Sequence, residues 1–104
     1  MGTASPGAIL DQYSLSDHFR PPPHVVWVRH PGTTVVLDAD RGLYYTLNDD
    51  AGRVWELLTA GEPVIEILRV MGDEYDVGPG LLAADVAALL SEMEAAKLIE
   101  RVGR

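Results

Sequence analysis

Cysteine is absent from the 104 residues of this chain. Disulfide bonds, thiolate catalysis and zinc sites that need sulfur ligands are therefore excluded. The sequence also lacks an apolar run approaching the roughly 20 residues that span a bilayer, and no basic start with a following apolar segment marks a signal peptide. We therefore expect a cytoplasmic protein with no membrane contact, whose stability comes from packing.

Clustered positive charge is missing as well. Eight basic residues are scattered from Arg20 to Arg104 against 16 acidic ones, and the net charge is −8. Because nucleic-acid binding draws most of its affinity from Lys and Arg that neutralise phosphates, we expect no nucleic-acid partner. A neutral or basic peptide partner is compatible with this charge.

The composition changes near residue 24. The first 23 residues hold several Gly, Ser and Pro residues and end in the run Pro21-Pro22-Pro23, which favours a stiff, extended segment. We predict a flexible N-terminal arm over residues 1–23 and one domain over residues 24–104. A hydrophobic content of 47% is enough for a modest core.

Three strands are predicted in the first half of the domain. Residues 25–28 are β-branched and aromatic and lead to the turn signal Pro31-Gly32, and residues 33–37 follow. Leu43–Leu47 forms the third strand after the Asp40-Arg41-Gly42 turn, and the short connections favour an antiparallel meander. Its alternation places Leu43, Tyr45 and Leu47 on one face and Tyr44 and Thr46 on the other.

Three helices are predicted to follow the strands. The first runs from about Asp49 to Thr59, with Asn48 as its N-cap and Gly61 at its end. The second begins at Pro63, and the third runs from near residue 79 to about residue 97. A three-stranded antiparallel sheet followed by three helices predicts an α+β fold of the winged helix-turn-helix type.

Side chains suited to catalysis or metal binding are sparse. His18, His24 and His30 are the only histidines, and they lie in the arm or around the first strand. Asp38 and Asp40 flank a hairpin turn, and turn chemistry explains both residues. We therefore predict no catalytic residue, no metal site and no cofactor.

A surface remains as the candidate functional feature. If the third strand lies at the sheet edge, its unpaired N–H and C=O groups form a template for another strand. We expect the third helix beside it, so that Leu43–Leu47 and the helix residues Asp85, Leu89, Glu92 and Met93 form the walls of a groove. A peptide can add there as a strand. The alternative is that Leu89 and Met93 are ordinary core residues.

Several segments together resemble a known family. They are Val36-Leu37-Asp38, Gly42-Leu43-Tyr44-Tyr45-Thr46-Leu47-Asn48, Ala51 with Val54-Trp55-Glu56-Leu57-Leu58, and Asp85-Val86 with Leu89-Leu90 and Met93. Over about residues 24–100 the chain resembles the PqqD-like family, the peptide recognition elements of ribosomal natural-product pathways. Within the family it is most similar to the stand-alone leader-binding proteins of lasso-peptide biosynthesis.

The resemblance implies a non-catalytic adaptor. It would bind the leader of a precursor peptide as an antiparallel strand on the third strand and present it to a leader peptidase. The implied partners are the precursor leader peptide, a transglutaminase-like cysteine protease and, further along the pathway, an ATP-dependent macrolactam cyclase. The implied peptide-binding residues are Leu43, Tyr44, Tyr45, Thr46, Leu47, Asp85, Val86, Leu89, Glu92 and Met93.

Three other functions stay open at this stage. The first is a PqqD-type peptide chaperone for a radical-enzyme pathway. The second is a winged-helix DNA-binding regulator, against which the third helix offers only Lys97 as a cation and carries Asp85, Glu92 and Glu94. The third is a subunit whose exposed strand pairs with its own copy.

Overall fold

The structure is a computed structural model that describes residues 13–75 and 79–102. In chain order its elements are β1 (Phe19–Arg20), β2 (Val25–His30), β3 (Thr33–Asp38), β4 (Leu43–Leu47), α1 (Asp49–Thr59), α2 (Val64–Glu74), α3 (Pro79–Ala95) and β5 (Glu100–Arg101). Strands β2, β3 and β4 form an antiparallel sheet in that order. The predicted α+β fold, with a three-stranded antiparallel sheet followed by three helices, is confirmed.

Helix α1 follows β4 with a single residue between them. That residue, Asn48, caps the helix, because its side-chain oxygen accepts the N–H of Ala51 at 3.0 Å. Asp49 and Asp50 lie in the first turn, where the helix dipole is positive. Gly61 has a φ of +92° just after the helix, a conformation that favours glycine. These local signals place the start of α1 directly at the end of β4.

The core lies between one face of the sheet and the three helices. Val36 on β3, Trp55 on α1, Ile67 on α2 and Leu90 on α3 all have no exposed surface. The ring of Trp55 meets that of Trp27 edge to face, with centroids 5.5 Å apart. The helices therefore hold the sheet from one side.

A glycine allows α1 to approach β3 closely. A Cβ atom at Gly52 would lie 2.8 Å from Oγ1 of Thr34, a β-branched side chain that is only 1% exposed. We expect Gly52→Ala to lower the free energy of unfolding by about 1 to 2 kcal/mol, because overpacking outweighs the helix propensity of alanine. Urea unfolding followed by circular dichroism measures this change.

Gly72 on α2 provides the matched control. A Cβ atom there would lie 3.5 Å from Cδ2 of Leu82, which is ordinary van der Waals contact. Gly72→Ala should therefore raise the free energy of unfolding by about 0.5 kcal/mol through its helix propensity. If Gly72→Ala lowers the free energy of unfolding as much as Gly52→Ala does, the close approach of α1 to β3 is not the cause of the loss.

The segment before β2 differs from the predicted arm. Tyr13 is 5% exposed and Phe19 is 2% exposed, and their rings meet edge to face with centroids 5.6 Å apart. Strand β1 pairs with β5, which places Phe19 opposite Arg101. The prediction of a flexible arm is therefore wrong for residues 13–23, since two buried aromatic rings attach this segment to the core. Residues 1–12 of that arm lie outside the described residues.

Tyr13 also gives the packed N-terminal segment a pH dependence. Its hydroxyl donates to Oε1 of Glu94 at 2.8 Å, and burial followed by this hydrogen bond raises the pKa of Tyr13 to about 12. The stabilisation that the protonated Tyr13 hydroxyl provides is therefore complete below the ordinary tyrosine pKa of 10.0. It is lost as the pH rises through the raised pKa of Tyr13. We expect Tyr13→Phe to cost about 1 kcal/mol at neutral pH and to flatten the fall in thermal stability at alkaline pH. An unchanged alkaline profile would contradict this assignment.

Candidate functional site

Strand β4, the predicted third strand, lies at an edge of the sheet. It pairs with β3 on one side, with Tyr45 opposite Val36 and Leu47 opposite Thr34. On its other side no strand among residues 13–75 and 79–102 pairs with it. The outward N–H and C=O groups that antiparallel geometry places on alternate residues are therefore available to another strand.

The side chains of β4 divide between the two faces of the sheet as the alternation predicts. Tyr45 and Leu47 are half-buried against the core, whereas Tyr44 is 71% exposed on the opposite face. Leu43, near the hairpin turn, is 50% exposed. The strand is thus anchored at its end near α1 and open near the turn.

An apolar cavity opens where β4 passes into α1. Its volume is about 260 Å³, and it lies between the first turns of α1, the end of α2 and one face of α3. Its lining residues are Asn48, Asp50, Ala51, Val54, Met71, Tyr75, Leu82, Asp85, Val86 and Leu89. We call this cavity, together with the free edge of β4, the groove.

The cavity contains three of the predicted helix residues, namely Asp85, Val86 and Leu89. Glu92 is exposed on the same helix but does not line the cavity, and Met93 is a core residue that is 3% exposed. The cavity wall opposite α3 is formed by α1 rather than by β4. The predicted position of the groove is corrected accordingly, since the apolar space begins just beyond the end of the strand.

The sequence reasoning missed the contributions of α1 and α2 to this cavity. The sequence indicates Asn48 only as a helix cap, and Ala51 and Val54 enter only among the segments that resemble the family. The signal that could have found them is the single-residue connection between β4 and α1. Because α1 begins where an edge strand ends, its first two turns must border whatever lies beside that edge.

The rim of the cavity carries negative charge. Asp50 and Asp85 are exposed on opposite walls, and Tyr75 is half-buried beside them. Burial, followed by the negative charges of Asp50, Glu74 and Asp49, raises the pKa of Tyr75. The cavity therefore combines an apolar interior with an acidic opening.

The other singled-out side chains serve local structure. Oδ1 of Asp38 accepts the N–H groups of Asp40 and Arg41 at 3.0 and 3.1 Å, which confirms the turn interpretation. Nδ1 of His18 lies 3.0 Å from the carbonyl oxygen of Gly61. Within residues 13–75 and 79–102, no three His, Asp or Glu side chains are grouped to hold a metal ion. No helix in those ranges has the length and apolar character needed to cross a membrane.

Comparison with known proteins identifies the family. The sequence profile of the family described as coenzyme PQQ synthesis protein D, PqqD, matches residues 33–99, which is more than half of the chain. The chain belongs to the PqqD family. The matched residues include β4, α1 and every residue that lines the cavity. The predicted resemblance is therefore confirmed.

Two solved structures share this fold. One is TbiB1 in complex with the TbiA(beta) leader peptide, with 25% identity and a TM-score of 0.76 over 82% of this chain and 99% of that chain. The other is a lasso peptide synthetase B1 complexed with the leader peptide, with 25% identity and a TM-score of 0.75 over 80% of this chain and 98% of that chain. No curated protein matches the sequence significantly.

Proposed function

We propose that this PqqD-family protein is a non-catalytic adaptor that binds the leader segment of a ribosomally made precursor peptide. The precursor would be of the lasso-peptide class, and the adaptor would present it to a leader peptidase. The observation that carries the proposal is the free edge of β4, which leads directly into an apolar cavity. Both similar structures hold a leader peptide, which supports the same role here.

Strand addition accounts for how such a peptide would bind. The leader backbone would pair with the outward N–H and C=O groups of Leu43–Leu47, which gives affinity without reading the sequence. Side chains beyond the paired segment would enter the cavity and contact Val86 and Leu89. Asp85 and Glu92 would meet polar groups of the peptide at the rim, while Met93 supports this wall from the core. Specificity would come from the cavity, because its walls consist of side chains from three helices.

Presentation requires an enzyme as a second partner. We propose a transglutaminase-like cysteine protease, which would supply the nucleophile that this cysteine-free chain lacks. The ATP-dependent macrolactam cyclase of the same pathway is the next proposed partner. We therefore propose a cytoplasmic location, where precursor peptides are made.

A PqqD-type chaperone for a radical-enzyme pathway is the second candidate, because the matching family profile has that description. Both candidates would use the same docking strand and differ in the enzyme that receives the peptide. Copurification of the chain with the peptidase or with the radical enzyme encoded beside it would separate them. DNA binding is disfavoured, since each arginine between Arg20 and Arg101 already has a carboxylate within 4.0 Å.

Fluorescence polarisation tests the adaptor function directly. The probe is a fluorescein-labelled leader peptide from the precursor gene beside this one, and a scrambled peptide of the same composition is the control. We expect saturable binding of the leader and none of the scrambled peptide. A folded protein that binds neither peptide would contradict the proposed function.

A further inference from the structure

The arginines of the described residues form ion pairs within the chain. Every arginine in the described ranges has a carboxylate oxygen within 4.0 Å. The pairs are Arg20 with Glu100, Arg29 with Glu56, Arg41 with Asp38, Arg53 with Glu56 and Glu74, Arg69 with Glu66 and Asp73, and Arg101 with Asp17 and Glu94. Asp40 lies 3.8 Å from His24. These carboxylates therefore already have a neighbouring cationic or ionisable nitrogen.

The remaining carboxylates form a second class. Among residues 13–75 and 79–102, five have no Lys, Arg or His nitrogen within 4.0 Å, namely Asp49, Asp50, Glu62, Asp85 and Glu92. Asp50 and Asp85 line the cavity, Asp49 adjoins Asp50, and Glu92 lies farther along α3. Asp49, Glu92 and Glu62, the last of these in the connection between α1 and α2, do not line the cavity. Two carboxylates without a cationic nitrogen nearby, Asp50 and Asp85, therefore line the cavity.

The cavity beneath these charges is apolar. Val54, Leu82 and Leu89 contribute its walls from α1 and α3, and its volume of about 260 Å³ has room for a large aliphatic side chain. Asp50 stands on the α1 wall and Asp85 on the α3 wall. A ligand that fills the space between these helices would therefore have a carboxylate on either side of it.

We propose that the groove selects leader peptides in which a basic residue, Lys or Arg, lies beside the aliphatic residue that fills the cavity, with Asp50 and Asp85 as specificity-determining residues. This inference rests on the proposed leader-binding function and deepens it. The aliphatic side chain would be buried against the helices, while the cation would neutralise the rim. An acidic residue at the same place would be repelled, which adds selection against incorrect peptides.

The net charge of the chain would reinforce this selection. A net charge of −8 attracts a basic peptide before contact, and the attraction weakens as salt screens it. A hydrophobic anchor alone would bind almost independently of salt. Because the net charge alone gives some salt dependence, the contribution of the rim is the part of that dependence which Asp50 and Asp85 account for.

The test uses the full chain and the labelled leader peptide of the neighbouring precursor, titrated at about 50 mM and about 500 mM salt. Asp50→Asn and Asp85→Asn should each weaken binding about two- to fivefold at low salt, as expected for partly exposed ion pairs. The double variant should have a weaker salt dependence than either the unaltered chain or the Glu62→Gln control. Glu62→Gln is the matched control, because it removes a carboxylate that lies outside the cavity and has no cationic nitrogen within 4.0 Å, and its affinity should be close to that of the unaltered chain.

A second arm alters the peptide. Each Lys and Arg of the leader is replaced in turn by Gln, and the affinity is measured with the unaltered chain and with the double variant. One replacement should weaken binding to the unaltered chain but not to the double variant, which identifies the paired cation by a double-mutant cycle. Circular dichroism checks that each variant is folded.

The outcomes separate the inference from the function on which it rests. Tight leader binding that neither salt nor the aspartate variants change would overturn the inference and leave the adaptor function standing. An equal loss in Glu62→Gln would also overturn it, since net charge rather than the groove would then control affinity. A folded, unaltered chain that does not bind the leader would overturn both.

Discussion

Proline at one of two adjacent positions of β4 is expected to weaken leader binding strongly while the protein stays folded. In an antiparallel strand the N–H groups of consecutive residues point to opposite sides, so one of Tyr45 and Thr46 faces β3 and the other faces the free edge. Proline at the outward position removes a donor and blocks the approach of a partner strand. We expect binding to weaken by at least about tenfold in that variant, from the lost hydrogen bond and the steric block.

The other variant of the pair should behave in the opposite way. Proline at the inward position breaks the ladder to β3 and should destabilise the fold by about 3 kcal/mol. Urea unfolding and fluorescence polarisation on both variants measure the two effects separately. If both variants fold and bind the leader as the unaltered chain does, β4 is not the docking strand.

Strand β2 at the opposite edge of the sheet supplies the matched control. Val28→Pro and Arg29→Pro sample the same alternation on a strand that also has a neighbour on one side only within the described sheet. One of these two variants should stay folded and the other should be destabilised, as expected for the β4 pair. The folded member should bind the leader normally, and a loss of binding there would move the docking site to β2.

Truncation of Leu89 is expected to have the largest effect of any side-chain change in the cavity. Leu89 is half-buried on α3 and lines the apolar space. At about 25 cal/mol per Å² of apolar surface buried, removing its contact with a peptide should weaken binding roughly tenfold in Leu89→Ala. Charge reversal at Asp85 or Glu92 should have a smaller effect, because exposed ion pairs contribute less than about 1 kcal/mol.

Leu68→Ala controls for the loss of stability that accompanies any leucine truncation. Leu68 on α2 is also half-buried against the core but does not line the cavity. This variant should lose comparable stability and keep its affinity for the leader. If reversal of Asp85 reduces affinity more than Leu89→Ala does, ion pairing rather than apolar contact controls recognition.

Elements set by local signals were predictable from the sequence. The two-residue alternation of Leu43–Leu47 gives way at Asn48 to a cap and then to helical spacing, and the observed bounds of β4 and α1 agree with these signals. The pairing of β1 with β5 was not predictable, because it joins Phe19 to Arg101 through two-residue strands that leave no pattern. The aromatic residues of the first 23 positions were outweighed in the prediction by proline and glycine.

The candidate site was predictable only in part for a related reason. Helical spacing identifies which residues of α3 share a face, and it placed Asp85 and Leu89 on the functional side. It does not say which neighbouring helix faces them. Met71 and Tyr75 join the cavity because of how α2 packs against α3, which depends on the whole tertiary arrangement. The fold could therefore be predicted more fully than the cavity.

The short connection between β4 and α1 also gives the bound leader a direction. A peptide antiparallel to β4 would have its amino end beside Asn48 and the cavity, and its carboxyl end beside Leu43 and the hairpin turn. At about 3.3 Å per residue, the five residues of β4 separate these two ends by roughly 17 Å. The part of the precursor that enzymes modify follows the leader, so it would leave from the hairpin side. Recognition and processing would then occur at opposite ends of one strand. A partner enzyme could act at the hairpin end without displacing the leader residue that fills the cavity.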